Sequence, residues 1–181
     1  MDWAAVTVTS NTSFHCLRCL FFNNSIHFPT AVTSGTKAGG ALKISSSSTA
    51  YLTSSTFANN TMSNSGKKSG TRYESFGGAA MGIDGSTSTA ILLRCYFHEN
   101  GLVLGGFVSR TGAGGALYVD GANVTLLHCR FFHNYVRTNG SGSSYRYLEL
   151  AGAGAYFYQV KTATLYNCTF QVMELISHLV A

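Results

Sequence analysis

A two-part phrase recurs along the chain and constrains its fold more than any other feature: Gly-Gly-Ala, followed about 18 residues later by Phe-x-x-Asn. The first part stands at Gly39-Gly40-Ala41, Gly77-Gly78-Ala79 and Gly114-Gly115-Ala116, with a looser copy at Ala153-Gly154-Ala155. The second runs from Phe21 to Asn24, Phe57 to Asn60, Phe97 to Asn100 and Phe131 to Asn134, with a decayed copy from Phe170 to Met173. The second glycines, Gly40, Gly78, Gly115 and Gly154, are 37 to 39 residues apart. A fixed period of that size marks a stacked repeat, in which each unit buries its apolar side against its neighbours.

Alignment on the Phe turns the copies into columns. Seven residues before it stand Phe14, Ala50, Ala90, Val124 and Ala163, and five before it Cys16, Leu52, Leu92, Leu126 and Leu165, all apolar. Two before it come Cys19, Ser55, Cys95, Cys129 and Cys168, and three before it the polar Arg18, Ser54, Arg94, His128 and Asn167. Steps of two are those of a strand with alternate side chains facing inward. The step of three between the Leu and Cys columns requires a bend. The Gly-Gly-Ala segment adds a further short strand, as in Leu117-Tyr118-Val119. Two or three short strands per turn at a fixed period predict an all-β chain, a parallel β-helix or solenoid of about five coils, with rungs about 4.8 Å apart. The Phe, Leu and Asn columns then become stacked ladders, the amides hydrogen-bonding along the axis. An antiparallel β-sandwich explains the strands but not the repeated identities.

Composition agrees. Of 181 residues only 10% are charged, Pro occurs once and Gly 20 times, a profile of strands and turns. The chain reads as a single domain over 1–181. Both ends break off inside the pattern, which suggests a fragment of a longer repeat protein, with 174–181 as a cap or a truncated end. No signal peptide is visible at the N-terminus, and no apolar run is long enough to span a membrane as a helix.

The alternating Gly-Gly-Ala-[Leu/Ile/Val] and Phe-x-x-Asn motifs, over roughly residues 14 to 173, resemble the repeats of chlamydial-type polymorphic outer membrane proteins. The resemblance implies a right-handed parallel β-helix of the pectin-lyase-like group and a surface-exposed or secreted adhesin. That wider group also includes polysaccharide lyases and glycosidases, so the fold alone does not select an activity.

Asp84-Gly85 and Asp120-Gly121 align at the end of the Gly-Gly-Ala strand in consecutive coils. About 5 Å apart, they have the separation of a retaining glycosidase pair, but Asp-Gly is also an ordinary turn signal. With seven Asp and Glu in all, the sequence offers no convincing catalytic cluster. The cysteine column reads as buried free thiols acting as small hydrophobes, and the nearest approach to zinc-ligand spacing is Cys16-x-x-Cys19. His15, His27, His98, His128, His133 and His178 share no column, and no metal or cofactor is expected.

Charge is better organised. Between each Phe-x-x-Asn and the next Gly-Gly-Ala stand Lys37, Lys67, Lys68, Arg72, Arg110, Arg137 and Arg146 against Glu74 and Glu149, a surplus equal to the net charge of +5. Tyr73 and Tyr135 are among the aromatics of the same segments. In a solenoid, insertions of variable length form a binding face, here read as Lys67, Lys68, Arg72, Tyr73, Arg110, Arg137 and Arg146. Such a face suits an extracellular glycan or a host or cell-surface protein; nucleic acid is disfavoured because no compact Lys/Arg run appears. The expected function is therefore a non-enzymatic adhesin-like protein. A carbohydrate-active β-helix enzyme and a purely structural repeat segment are the alternatives.

Overall fold

The computed structural model describes residues 4–28, 37–64, 74–104, 110–138, 148–151, 153–171 and 174–177. All regular structure among them is strand, arranged in five parallel sheets that the chain visits in a fixed order. Sheet A stacks Val6–Val8, Leu42–Ile44, Met81–Asp84, Leu117–Asp120 and Ala155–Tyr158. Sheet B stacks Ser13–Leu17, Thr49–Thr53, Thr89–Leu93, Asn123–Leu127 and Thr162–Tyr166. Sheet C follows with Leu20–Phe22, Thr56–Ala58, Tyr96–His98, Arg130–Phe132 and Thr169–Gln171. Sheet D comprises Ser25–Phe28, Thr61–Asn64, Gly101–Leu104, Tyr135–Thr138 and Glu174–Ser177. Sheet E holds four strands, Lys37–Ala38, Glu74–Gly77, Arg110–Ala113 and Leu148–Ala151. The result is a parallel β-solenoid with more and shorter strands per turn than the sequence suggested, because bends break each turn at every corner.

Those bends have local causes. Between sheets B and C the backbone turns left-handed at Arg18, Ser54, Arg94, His128 and Asn167, with φ between 49° and 56°. This is the column of polar residues three before the Phe, and it is the predicted bend. The residue after it supplies a donor that ties the corner. The Cys95 thiol donates to the carbonyls of Leu52 and Leu93 at 3.5 and 3.6 Å, and the Ser55 hydroxyl donates to the Thr53 carbonyl at 3.1 Å. Gly39, Gly78 and Gly114 make the corner between sheets E and A, with φ of 83°, 65° and 66°, a region that favours glycine.

The core is the set of predicted ladders. Phe21, Phe57, Phe97, Phe131 and Phe170 stack with centroids 4.5 to 4.7 Å apart and planes within 7° of parallel. Leu52, Leu92 and Leu126 are buried beside them. At the corner between sheets C and D, the side-chain nitrogens of Asn24, Asn60 and Asn100 each donate to the side-chain oxygen of the next asparagine at 2.8 to 3.0 Å. Met173, expected to end this ladder, lies outside the described residues.

Candidate functional site

Sheet A carries the acidic pair on the face turned away from the core ladders, a face on which Lys43 and Tyr118 are themselves buried. Its strands alternate, so Leu42, Ile44, Met81, Ile83, Leu117 and Val119 enter the core while Lys43, Asp84, Tyr118 and Asp120 occupy the other face. Asp84 and Asp120 are direct register partners on neighbouring rungs. Gly85 and Gly121, at φ of 95° and 67°, turn the chain immediately after them. The sequence reading missed Lys43, whose ammonium lies 3.4 Å from the Asp84 carboxylate. It stands one rung before Gly82, which is followed along the same row by Tyr118 and Tyr156, with ring centroids 5.9 Å apart. The face thus combines a cation, two carboxylates and stacked phenols. The sequence signal that marks it is a lysine inside an otherwise apolar Leu-Lys-Ile strand.

The basic residues divide. Lys67, Lys68, Arg72, Tyr73 and Arg146 lie outside the described residues. Arg110 belongs to sheet E, not to a loop, and Arg137 to sheet D, where its guanidinium lies 4.3 Å from the centroid of the Tyr135 ring. Topology nevertheless relates them. Segments 29–36, 65–73, 105–109 and 139–147 each run from the end of a sheet D strand to the start of a sheet E strand. Because equivalent strand ends stack, all four leave and re-enter the solenoid at one corner.

The cysteines require a correction. Cys16 and Cys19 are joined in a disulfide, with Cα atoms 6.0 Å apart, so they are not free thiols. Cys16 occupies the Leu column and Cys19 the Cys column, and these two columns face each other across the bend at Arg18. Cys95, Cys129 and Cys168 remain free. Contact with Cys95, together with burial, pushes the Cys129 thiol up, while the hydrogen bond from Cys129 draws Cys95 down. Burial raises Cys168. Among the described residues no group of three or more His, Cys, Asp or Glu is placed to hold a metal ion.

Five parallel sheets wound in one order around internal Phe, Leu and Asn ladders define a parallel β-helix repeat protein. The chain matches the family model of the right handed beta helix region over residues 2–173, and it belongs to that family. No curated protein and no solved structure matches it significantly.

Proposed function

We propose that the chain is a non-enzymatic, adhesin-like β-helix, exposed at a cell surface or secreted, that contacts glycan or protein through its variable segments. The supporting observation is topological: the longest connecting segments, 29–36, 65–73, 105–109 and 139–147, each join sheet D to sheet E, and Lys67, Lys68, Arg72 and Arg146 belong to two of them. Rigid elements presenting variable segments are the usual architecture of a binding surface. The paired motifs, similar to those of polymorphic outer membrane proteins, support the same reading. Glycan-array binding that is weakened by the triple change Lys67→Ala, Lys68→Ala and Arg72→Ala is the expected result. Binding indifferent to all three removes the basic corner from the reading.

A second reading is favoured by the Lys43, Asp84 and Asp120 face, whose carboxylates and cation are the residue types of a carbohydrate-active enzyme. Release of reducing or unsaturated sugars from polysaccharides, abolished by Asp84→Asn, would establish it over the first. No turnover is expected.

A further inference from the structure

Where sheet C turns into sheet D, a groove of about 470 Å³ is lined by Phe22, Asn23, Asn59, Thr61, Glu99 and Tyr135. These residues come from four successive turns of the solenoid, so the groove follows the axis for three rung spacings, roughly 14 Å. It lies at the opposite end of the sheet D strands from the basic corner.

Its construction is local. Asn23, Asn59 and Glu99 adopt left-handed backbone, with φ of 56°, 55° and 53°. Each follows a sheet C strand and precedes a residue of the internal Asn ladder, so the ladder side chains turn inward and these three line the groove. Gly101 makes room for the aromatic wall. A Cβ at that position would fall within the Tyr135 ring, and the hydroxyl-bearing carbon is the nearest atom, so the ring lies down over the preceding turn. Exposed Phe22 stands at the other end.

The lining is chemically specific. The side chains of Asn23, Asn59 and Thr61 and the hydroxyl of Tyr135 make no hydrogen bond to another described residue, which leaves two carboxamides and two hydroxyls available. Glu99 adds a half-exposed carboxylate, 3.7 Å from the His98 ring, and is the only Asp, Glu, Lys or Arg in the lining; the Arg137 guanidinium lies over the Tyr135 ring beside it. Carboxamides, hydroxyls and a carboxylate, framed by aromatic rings, match a ligand rich in neutral hydroxyl groups. A carboxylated or sulfated chain would meet Glu99 as a like charge. A peptide adding as a strand finds no free edge, because the backbone N–H groups of Asn59, Thr61, Gly101 and Tyr135 are already bonded to neighbouring turns.

We propose that this groove binds a neutral oligosaccharide lying along the solenoid axis, with Asn59, Thr61, Glu99 and Tyr135 as its hydrogen-bonding contacts. The proposal rests on the glycan-binding reading and names a ligand class and a second location for it. Calorimetric titration with cello-, manno- and xylohexaose, alongside hexagalacturonate, tests it in low and high salt. Asn59→Gly and Glu99→Gly delete the side chains while fitting the left-handed backbone, and Thr61→Val removes a hydroxyl at constant shape.

At least one neutral hexasaccharide is expected to bind with little salt dependence, about tenfold more weakly in Asn59→Gly and in Glu99→Gly. The Lys67→Ala, Lys68→Ala, Arg72→Ala protein should bind it as the wild type does. Absence of neutral binding, or wild-type affinity in both glycine variants, overturns the groove. Salt-sensitive binding of hexagalacturonate alone, lost in the basic triple variant, overturns the groove and leaves the broader binding function standing.

Discussion

The side-chain oxygen of Asn100 accepts two hydrogen bonds from Asn60, one from its backbone N–H at 3.1 Å and one from its carboxamide at 2.8 Å. The Asn100 carboxamide in turn donates to the Phe57 carbonyl at 2.9 Å and to Asn134 at 3.0 Å. One buried side chain therefore satisfies groups on both flanking turns. Asn100→Ala leaves the Asn60 N–H and the Phe57 carbonyl without these partners, at about 1 to 3 kcal/mol each. A loss of roughly 3 to 5 kcal/mol is expected by urea denaturation. Asn59→Gly, one residue before the ladder, should change stability by less than about 1 kcal/mol.

The aromatic ladder should show a gradient from its middle to its end. Phe97 is sandwiched between Phe57 and Phe131, with centroids 4.7 and 4.6 Å away. Phe170 stacks on Phe131 and is 43% exposed. Truncating the first to alanine opens a cavity and is expected to destabilise by about 3 to 5 kcal/mol. Phe170→Ala should cost less than half as much, and equal effects in equilibrium unfolding would contradict this packing.

Gly115 is a steric requirement. A Cβ there would fall on the backbone carbonyl oxygens of Ala153 and Tyr135, neither of which is the end of a flexible side chain. Gly115→Ala should drive expression into the insoluble fraction. Gly85→Ala meets the Ser88 hydroxyl at 3.3 Å and the Ser46 backbone nitrogen at 3.7 Å, and at φ 95° suffers mainly backbone strain. It should remain soluble, with stability lowered by about 1 to 2 kcal/mol.

Thiol reactivity separates the five cysteines. Cys95 and Cys129 are buried and should resist iodoacetamide until the chain unfolds. Cys168 is partly exposed, but burial holds its pKa above the ordinary value, so less thiolate is present at any given pH. Its alkylation rate should therefore still be rising with pH above about 8.5, where that of a free cysteine levels off. Cys16 and Cys19 should label only after reduction. Five reactive thiols in unreduced, unfolded protein would contradict the disulfide.

The ladders were legible because a parallel stack repeats identity: Phe returns over Phe and Asn over Asn, and the bend announced itself as a polar column. The Cys16–Cys19 disulfide was not legible because the cysteine repeat runs along the axis, whereas the bridge crosses the bend between two columns. Strand number was underestimated because sheets D and E lie in the segments between motifs, where residue identity is not repeated. Arg110 and Arg137 consequently read as loop residues. The groove was invisible for a related reason: Asn23, Asn59, Glu99 and His133 occupy equivalent bend positions but differ in kind, and the seat of Tyr135 depends on an isolated glycine, Gly101.

The central claim is that the repeated Gly, Phe and Asn positions are scaffold and that binding belongs to the positions that vary within and between the motifs. The most direct measurement compares the Lys67→Ala, Lys68→Ala, Arg72→Ala protein with the wild type, recording Tm and glycan-array binding on the same preparations. The expected result is an unchanged Tm with signal lost from the anionic glycans the wild type retains. Unchanged binding, or a wild type that captures no glycan and instead releases sugars through Asp84, would contradict it.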